Sequence, residues 1–311
     1  MTESMTGREG VVLQGTGGVW QILTDEGITV SASLRGRLKQ EGRERLKLAV
    51  GDRVTISPEA PDVTAAIEVI HPRRSQLARR NPSGAYGERV VVANLDQVLV
   101  VFAAARPEPH PRMLDRFLVI AEANDLAARI IVNKVDLIGV EAARARFQEH
   151  IDVGYPVHFT SVETGEGLDA VRAEIADRCS ALTGPSGVGK SSLMNHLFPG
   201  LDLRTGAISD SVNKGRHTTV GAVLHPLPCG GFIADTPGLR EVGLWGINPV
   251  ELASCFPEFR PLLNTCRFGD CTHLVEPGCA IREAVAAGTV SAGRHESYAK
   301  LREELLATSN V

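Results

Sequence analysis

Long apolar runs are missing from this 311-residue chain. None approaches the roughly 18 residues that a membrane-spanning helix needs, which excludes a helical membrane protein and predicts no membrane partner. The opening stretch, Met1 to Gly10, has no apolar core and does not read as a secretory signal, so a cytoplasmic protein is expected. An excess of one charge is also missing. Thirty-three Lys plus Arg face 37 Asp plus Glu, a net charge of −4. That balance excludes a chain that coats nucleic acid indiscriminately, although it permits a local basic face. Aromatics are scarce near the N-terminus, where Trp20 is the single one before residue 72. Internal repeats and low-complexity tracts are absent. What remains is the composition of a globular protein, 43% hydrophobic and 23% charged, and it is long enough for two or three domains.

The chain reads in three parts. Gly10–Gln14, Val19–Leu23, Ile28–Ser33, Val54–Ser57 and Ala66–Ile70 are short, alternating and rich in Val and Ile, with Gly-rich or acidic turns between them. Five such strands predict a small all-β barrel of the OB type. The basic run Arg35, Arg37, Lys39, Arg43, Arg45 and Lys47 lies inside it. His71–Gly87, with Pro72, Pro82 and Arg73, Arg74, Arg79 and Arg80, reads as a linker. Both basic stretches are candidates for RNA phosphate contacts, which with one aromatic would be mainly electrostatic. From Val90 the pattern changes. Val98–Ala103, Arg129–Val132 and Val157–Thr160 are apolar runs of buried parallel strands, alternating with the helical spacings of Met113–Asn124 and Val140–His150. That alternation predicts a doubly wound α/β domain. The tail holds a cysteine cluster and then helical stretches at Ala280–Ala287 and His295–Thr308.

The α/β part carries a nucleotide-binding set. Gly184, Pro185, Ser186, Gly187, Val188, Gly189, Lys190 and Ser191 fit G-x-x-x-x-G-K-[ST], and Ser192 continues into a helix. Glycines let backbone N–H groups form an anion nest. Lys190 is expected to reach the β- and γ-phosphates as a catalytic cation, and Ser191 to ligate Mg²⁺. Asp235-Thr-Pro-Gly238 follows an apolar strand. Alone it would more often mark a turn; after a phosphate loop it places Asp235 towards Mg²⁺ and the Gly238 N–H towards the γ-phosphate. Asn133-Lys-Val-Asp136 also follows a strand. Asp136 offers two acceptors to the N1–H and 2-amino groups of guanine, a donor pair adenine lacks. Lys134 can lie over the base, and Asn133 can tie the loop to the phosphate loop. A backbone N–H near Ser161 or Val162, after the next strand, can meet the guanine O6. The set therefore favours GTP over ATP. In Asp210–Thr219, either Thr218 or Thr219 can complete the Mg²⁺ shell, and Thr219 is the preferred of the two. Leu239 follows the D-x-x-G loop where a water-orienting Gln often stands, so His217 is the nearest group able to position the attacking water.

The order of these loops is permuted: base loops first, then phosphate loop, then switches. The chain leaves the domain just after Asp235–Gly238, so that switch needs an anchor, which a C-terminal domain can provide. Cys266, Cys271, His273 and Cys279 give C-x₄-C-x-H-x₅-C. Three thiolates and one imidazole suit one tetrahedral structural Zn²⁺ with no open position. Cys179, Cys229 and Cys255 are scattered and read as core residues.

These segments, with Ala93-Asn-Leu-Asp-Gln97, Gly215-Arg-His-Thr-Thr219, Phe256-Pro-Glu258 and Glu276-Pro-Gly-Cys279, resemble the RsgA (YjeQ) family of circularly permuted GTPases over nearly the whole chain. The resemblance implies an OB-fold RNA-binding domain over 1–72, a permuted P-loop GTPase domain over 73–245 and a mostly α zinc-binding domain over 246–311. It implies a late factor in small ribosomal subunit maturation whose GTPase is stimulated by that subunit, with rRNA as a contact, and it puts the water-orienting histidine at His217. Val220 departs from the pattern, since a third Thr is frequent there. An RNA-binding assembly adaptor that holds GTP as a structural switch ligand is the alternative. Nothing in the sequence calls for a dimer, and a monomer is expected.

Overall fold

The computed structural model describes residues 7–35, 47–57, 64–80, 88–201, 222–235 and 247–309. By its contacts the chain divides into two compact units. One is Met1–Asp96 with Ile175–Ala181 and Ala207–Arg240; the other is Gln97–Glu174 with Leu182–Gly206 and Glu241–Val311.

The first unit opens with a closed barrel of β1 (Arg8–Thr16), β2 (Val19–Thr24), β3 (Thr29–Leu34), β4 (Arg53–Ile56) and β5 (Ala65–Ile70), in the order β1-β2-β3-β5-β4. β3 and β5 run parallel, while the other neighbours within the barrel are antiparallel. Period-two patterning explains the closure. Val54 and Ile56 point inward from β4, Arg53 and Thr55 do not, and with Val12, Ile22, Val30, Ala32, Ala65 and Ile67 they fill the interior. This is the five-stranded barrel that the sequence predicts.

The expected linker holds a strand. β6 (Gln76–Arg80) pairs antiparallel with β7 (Glu88–Ala93), with a register shift at Leu77/Ala78. Its side chains alternate poorly, which is why the sequence reads as a connection. Arg73 has a different fate from the one expected of it. Its guanidinium grips the fully buried Asp52 through Nε–Oδ1 at 2.7 Å and Nη2–Oδ2 at 2.9 Å, and it also donates to the Lys47 carbonyl. This bidentate pair leaves the side chain only 7% exposed, so Arg73 anchors the barrel and is not presented to RNA. Arg74 pairs with Asp96 but stays exposed. The basic run at 36–46 lies outside the described residues. This unit also contains the antiparallel pair of β12 (Val223–Pro226) and β13 (Phe232–Asp235).

The second unit is built on β8 (Gln97–Ala103), β9 (Ala127–Asn133) and β10 (Val157–Phe159), parallel and in the order β10-β9-β8, with the end of β11 (Cys179–Thr183) beside β8. β8 and β11 are buried at every residue, as expected of strands covered on both faces. Helices α1 (Pro111–Ala123), α2 (Val140–Arg146), α3 (Gln148–Val153), α4 (Leu168–Ile175, its last residue assigned to the first unit) and α5 (Lys190–Leu197) connect or follow the strands. Pro111 starts α1 where a missing N–H costs nothing, and the helix packs Leu114, Phe117, Leu118 and Ala121 inward. The C-terminal segment contains two 3₁₀ turns, Leu252–Cys255 and Pro257–Leu262, then α6 (Ala280–Ala286) and α7 (Ala292–Ser309). Its core is aromatic: Phe256 stacks on Phe259 at 5.0 Å, and Tyr298 meets both rings edge-on.

Candidate nucleotide site and metal centre

In open α/β sheets ligands sit beyond the carboxyl ends of the strands, and the predicted loops lie there. β11 ends at Thr183 and turns through Gly184, whose φ is +134°. A Cβ at Gly184 would stand 2.1 Å from the Val101 carbonyl of β8, so this crossing admits no side chain. The loop closes at Gly189, the cap of α5. There a Cβ would stand 2.5 Å from the Asn133 amide nitrogen, so a larger residue would push the two loops apart. The helix that follows turns its N-terminal N–H groups towards the loop, a favourable place for phosphate. Lys190 donates from Nζ to the Gly184 carbonyl at 2.8 Å and to that of Pro185 at 2.5 Å. Pro185 is half-buried, Ser186, Gly187 and Ser192 are exposed, Val188 is buried, and Ser191 is half-buried on the first turn of α5.

Asn133 ends β9, opposite Ala103 of β8, and is buried. Its amide donates to the Val188 carbonyl at 3.0 Å, and its Oδ1 accepts from Thr160 Oγ1 at 3.3 Å. One side chain thus ties the phosphate loop to both loops expected to read the base. Lys134 is left-handed, with φ +63°. Its Nζ donates to the Gly187 carbonyl and to the Arg106 carbonyl, each at 2.6 Å. Asp136 is exposed and accepts from Ser161 Oγ at 2.5 Å. The Ser161 backbone N–H is engaged with the Glu166 carbonyl at 3.0 Å, and Val162 follows half-buried. Asp235 ends β13, half-buried, in the first unit. His217, Thr219 and Gly238 lie outside the described residues.

The four predicted metal ligands come together. The ligand atoms of Cys266, Cys271, His273 and Cys279 all lie within 4.8 Å of one another. His273 Nδ1 is 3.5 Å from both Cys266 Sγ and Cys279 Sγ, and those two sulfurs are 3.9 Å apart. Tetrahedral zinc bonds of about 2.3 Å to sulfur and 2.0–2.1 Å to nitrogen would space the ligands about 3.8 Å (S–S) and 3.6 Å (S–N) apart. The observed edges match, and 3.9 Å is far too long for a disulfide. Burial together with the adjoining Cys279 and Cys266 thiols pushes Cys271 up to about 12, so these sulfurs need a cation if they are to be thiolates together. Burial also holds His273 below the ordinary imidazole value, in the neutral form that can ligate. α7 fixes the ligand loop from below. His295 Nε2 lies 2.7 Å from the His273 carbonyl, and Tyr298 Oη donates to that of Thr272 at 2.8 Å. Glu276 accepts the N–H groups of Thr272, Leu274 and Val275 and thereby folds the turn between the ligands.

Known proteins resemble this chain over most of its length. The sequence profile of the RsgA GTPase family matches residues 70–245. The small ribosomal subunit biogenesis GTPase RsgA of Gemmatimonas aurantiaca is 70% identical over 310 residues, covering 99% of this chain and 100% of that protein. The one of Moorella thermoacetica is 41% identical over 299 residues, 96% of this chain and 98% of its own. Among solved structures, YjeQ from Thermotoga maritima superposes with a TM-score of 0.79 at 34% identity, covering 96% of this chain and 98% of that one. YloQ, described as a circularly permuted GTPase, gives 0.75 at 28% identity, covering 99% and 98%.

Proposed function

Since the chain belongs to the RsgA family of circularly permuted GTPases, we propose that it hydrolyses GTP to GDP and phosphate as a late maturation factor of the small ribosomal subunit, which stimulates the reaction. The observation that carries this reading is the junction of loops at the strand ends. Asn133 and Lys134 both hydrogen-bond the carbonyls of the phosphate loop, at Val188 and Gly187, so base recognition and phosphate recognition share one rigid frame.

In this reading Asp136, oriented by the Ser161 hydroxyl, takes the N1–H and 2-amino groups of guanine. Because the Ser161 N–H is already committed, the contact to O6 falls to the Val162 N–H. Gly184–Ser192 wraps the phosphates. Lys190 exchanges its carbonyl partners at Gly184 and Pro185 for the β- and γ-phosphates, where its charge offsets the charge that develops in transfer. Ser191 and Thr219 would hold Mg²⁺, with Asp235 a further group for that ion and Gly238 for the γ-phosphate; the ion would supply charge neutralisation for the phosphates. Cys266, Cys271, His273 and Cys279 hold one structural Zn²⁺. The domains run 1–72, 73–245 and 246–311, the barrel contacts rRNA, and the protein works in the cytoplasm as a monomer. Among the described residues no helix is long and apolar enough to cross a membrane.

Phosphate release from GTP, measured with and without small ribosomal subunits, tests the reading. Strong stimulation by small subunits and none by large subunits is expected; equal rates under all three conditions would remove the ribosomal role. A second expectation concerns His217 as the residue that positions water. His217→Ala should lower the stimulated rate on the order of 10²-fold or more, the usual size of a general acid–base or positioning contribution, at unchanged GTP affinity. A stimulated rate equal to wild type would remove that assignment.

A further inference from the structure

The loop between β8 and α1 takes no part in the mechanism above, yet it is pinned at four points. The Ala104 N–H donates to the Asn133 carbonyl at 2.7 Å. The Ala104 carbonyl accepts from Arg146 Nη1 at 2.9 Å, and the same nitrogen lies 2.5 Å from Glu108 Oε2. The Arg106 carbonyl accepts from Lys134 Nζ at 2.6 Å. Arg106 itself is held at φ +50°, a conformation that a non-glycine residue keeps only when its surroundings impose it.

We propose that Arg146 is a positioning residue for guanine binding: by clamping the 104–108 loop from the last residue of α2, it aims the Arg106 carbonyl at Lys134 and so fixes that lysine across the phosphate loop. The inference rests on the reading of Asn133–Asp136 as the guanine loop. Its physical content is preorganisation. A lysine ammonium bound to one acceptor still sweeps a cone on its flexible stem. With a second acceptor it is held, and its Cε lies beside Gly189, 3.8 Å from where a Cβ there would stand. The stem is thereby immobilised before the nucleotide arrives, and binding does not have to supply that ordering. Arg suits the clamp because one planar guanidinium can serve a carbonyl and a carboxylate together. Arg146 remains 39% exposed and Glu108 71% exposed, so the ion pair is screened, and the bond to the Ala104 carbonyl carries most of the effect.

Binding of fluorescent GDP and GTP to the full-length protein tests this. Arg146→Ala should weaken both nucleotides by about fivefold, the scale of one partly exposed hydrogen-bonded clamp, because the lost order concerns the base and not the γ-phosphate. KM for GTP should rise in parallel, with a smaller change in kcat. Arg146→Lys, which can reach one acceptor, should recover part of the loss. In a Lys134→Ala background Arg146→Ala should cost nothing more, which a merely structural role would not produce. Asp136→Asn serves as the control on the underlying reading. If it leaves guanine preference intact, the guanine loop is misassigned. If it abolishes that preference while Arg146→Ala binds as wild type, or costs the same with and without Lys134, the positioning role is overturned and the guanine loop stands.

Discussion

Zinc removal should abolish amide protection across residues 266–279 and unfold the ligand loop. This loop has little apolar content of its own. Phe268 and Val275 are exposed, Cys279 and His273 are its buried residues, and the turn is held by Glu276 and by two carbonyl contacts from α7. A segment so built cannot offset its backbone entropy by burial. Structural zinc supplies an apparent ~10–16 kcal/mol in small zinc-binding peptides, far more than such a loop needs. Cys279→Ser should act like chelation, since it removes a thiolate and leaves a poor ligand. Even a loss of about 3 kcal/mol lowers the midpoint of a 60–100-residue unit by roughly 12–24 °C. The aromatic core of Phe256, Phe259 and Tyr298 lies on the helical side, so protection there should decline less than in the loop. Hydrogen exchange with and without chelator, followed by zinc re-addition, reads both. Undiminished protection of 266–279 in protein shown to be metal-free would remove zinc from the account.

What the sequence shows of this protein is what is local along it. The barrel strands are legible because Val54 and Ile56, or Val30 and Ala32, alternate with polar neighbours, and that period is set by the pleat. Gly184–Ser191, Asn133–Asp136 and Cys266–Cys279 are legible because each site draws its chemistry from one short stretch. Cys179 and Cys255 are buried as expected of core cysteines, while Cys229 is half-buried. Burial and the nearby Asp96 push the Cys179 thiol up to about 12. The β6 strand is not legible, because its sequence, Gln76-Leu-Ala-Arg-Arg80, does not alternate apolar with polar residues. Nor is the role of Arg73, whose partner Asp52 lies 21 positions away, or that of Arg146, whose acceptor lies 42 positions away. Polar pairing across a fold leaves no period, and a charged residue in a turn looks the same whether it faces solvent or a buried carboxylate.

A pairing of still longer range carries the other large expected effect. Arg294, 1% exposed on α7, reaches back 179 positions to Asp115 of α1 through Nη1, and it grips Glu258 through Nε at 2.7 Å and Nη2 at 3.1 Å. Its guanidinium lies 4.7 Å from the centre of the Phe256 ring. Asp115 also lies 2.8 Å from His150 Nε2. Burial pushes the Asp115 carboxyl up, but the His150 hydrogen bond and the Arg294 charge outweigh it and hold the group below its ordinary value of 3.8. Replacing Arg294 by Met strands the buried Asp115 carboxylate and leaves the half-buried Glu258 without its partner, and breaking a buried pair from one side costs about 3–5 kcal/mol. The sign with pH follows from the depressed carboxyl. Its contribution is fully present above the ordinary carboxylate value and is lost as the pH falls through the lowered one. The gap between wild type and Arg294→Met should therefore be widest near neutrality and should narrow as the pH falls through the lowered Asp115 value, below 3.8. Adding Asp115→Asn and Glu258→Gln should return much of the loss at neutral pH, because the penalty lies in the stranded charges and not in the missing attraction. Urea unfolding across pH 3 to 7.5 measures this. A single variant within 1 kcal/mol of wild type at neutral pH, on the general scale of exposed pairs, would mean that the cluster is hydrated and does not bind the C-terminal segment to α1.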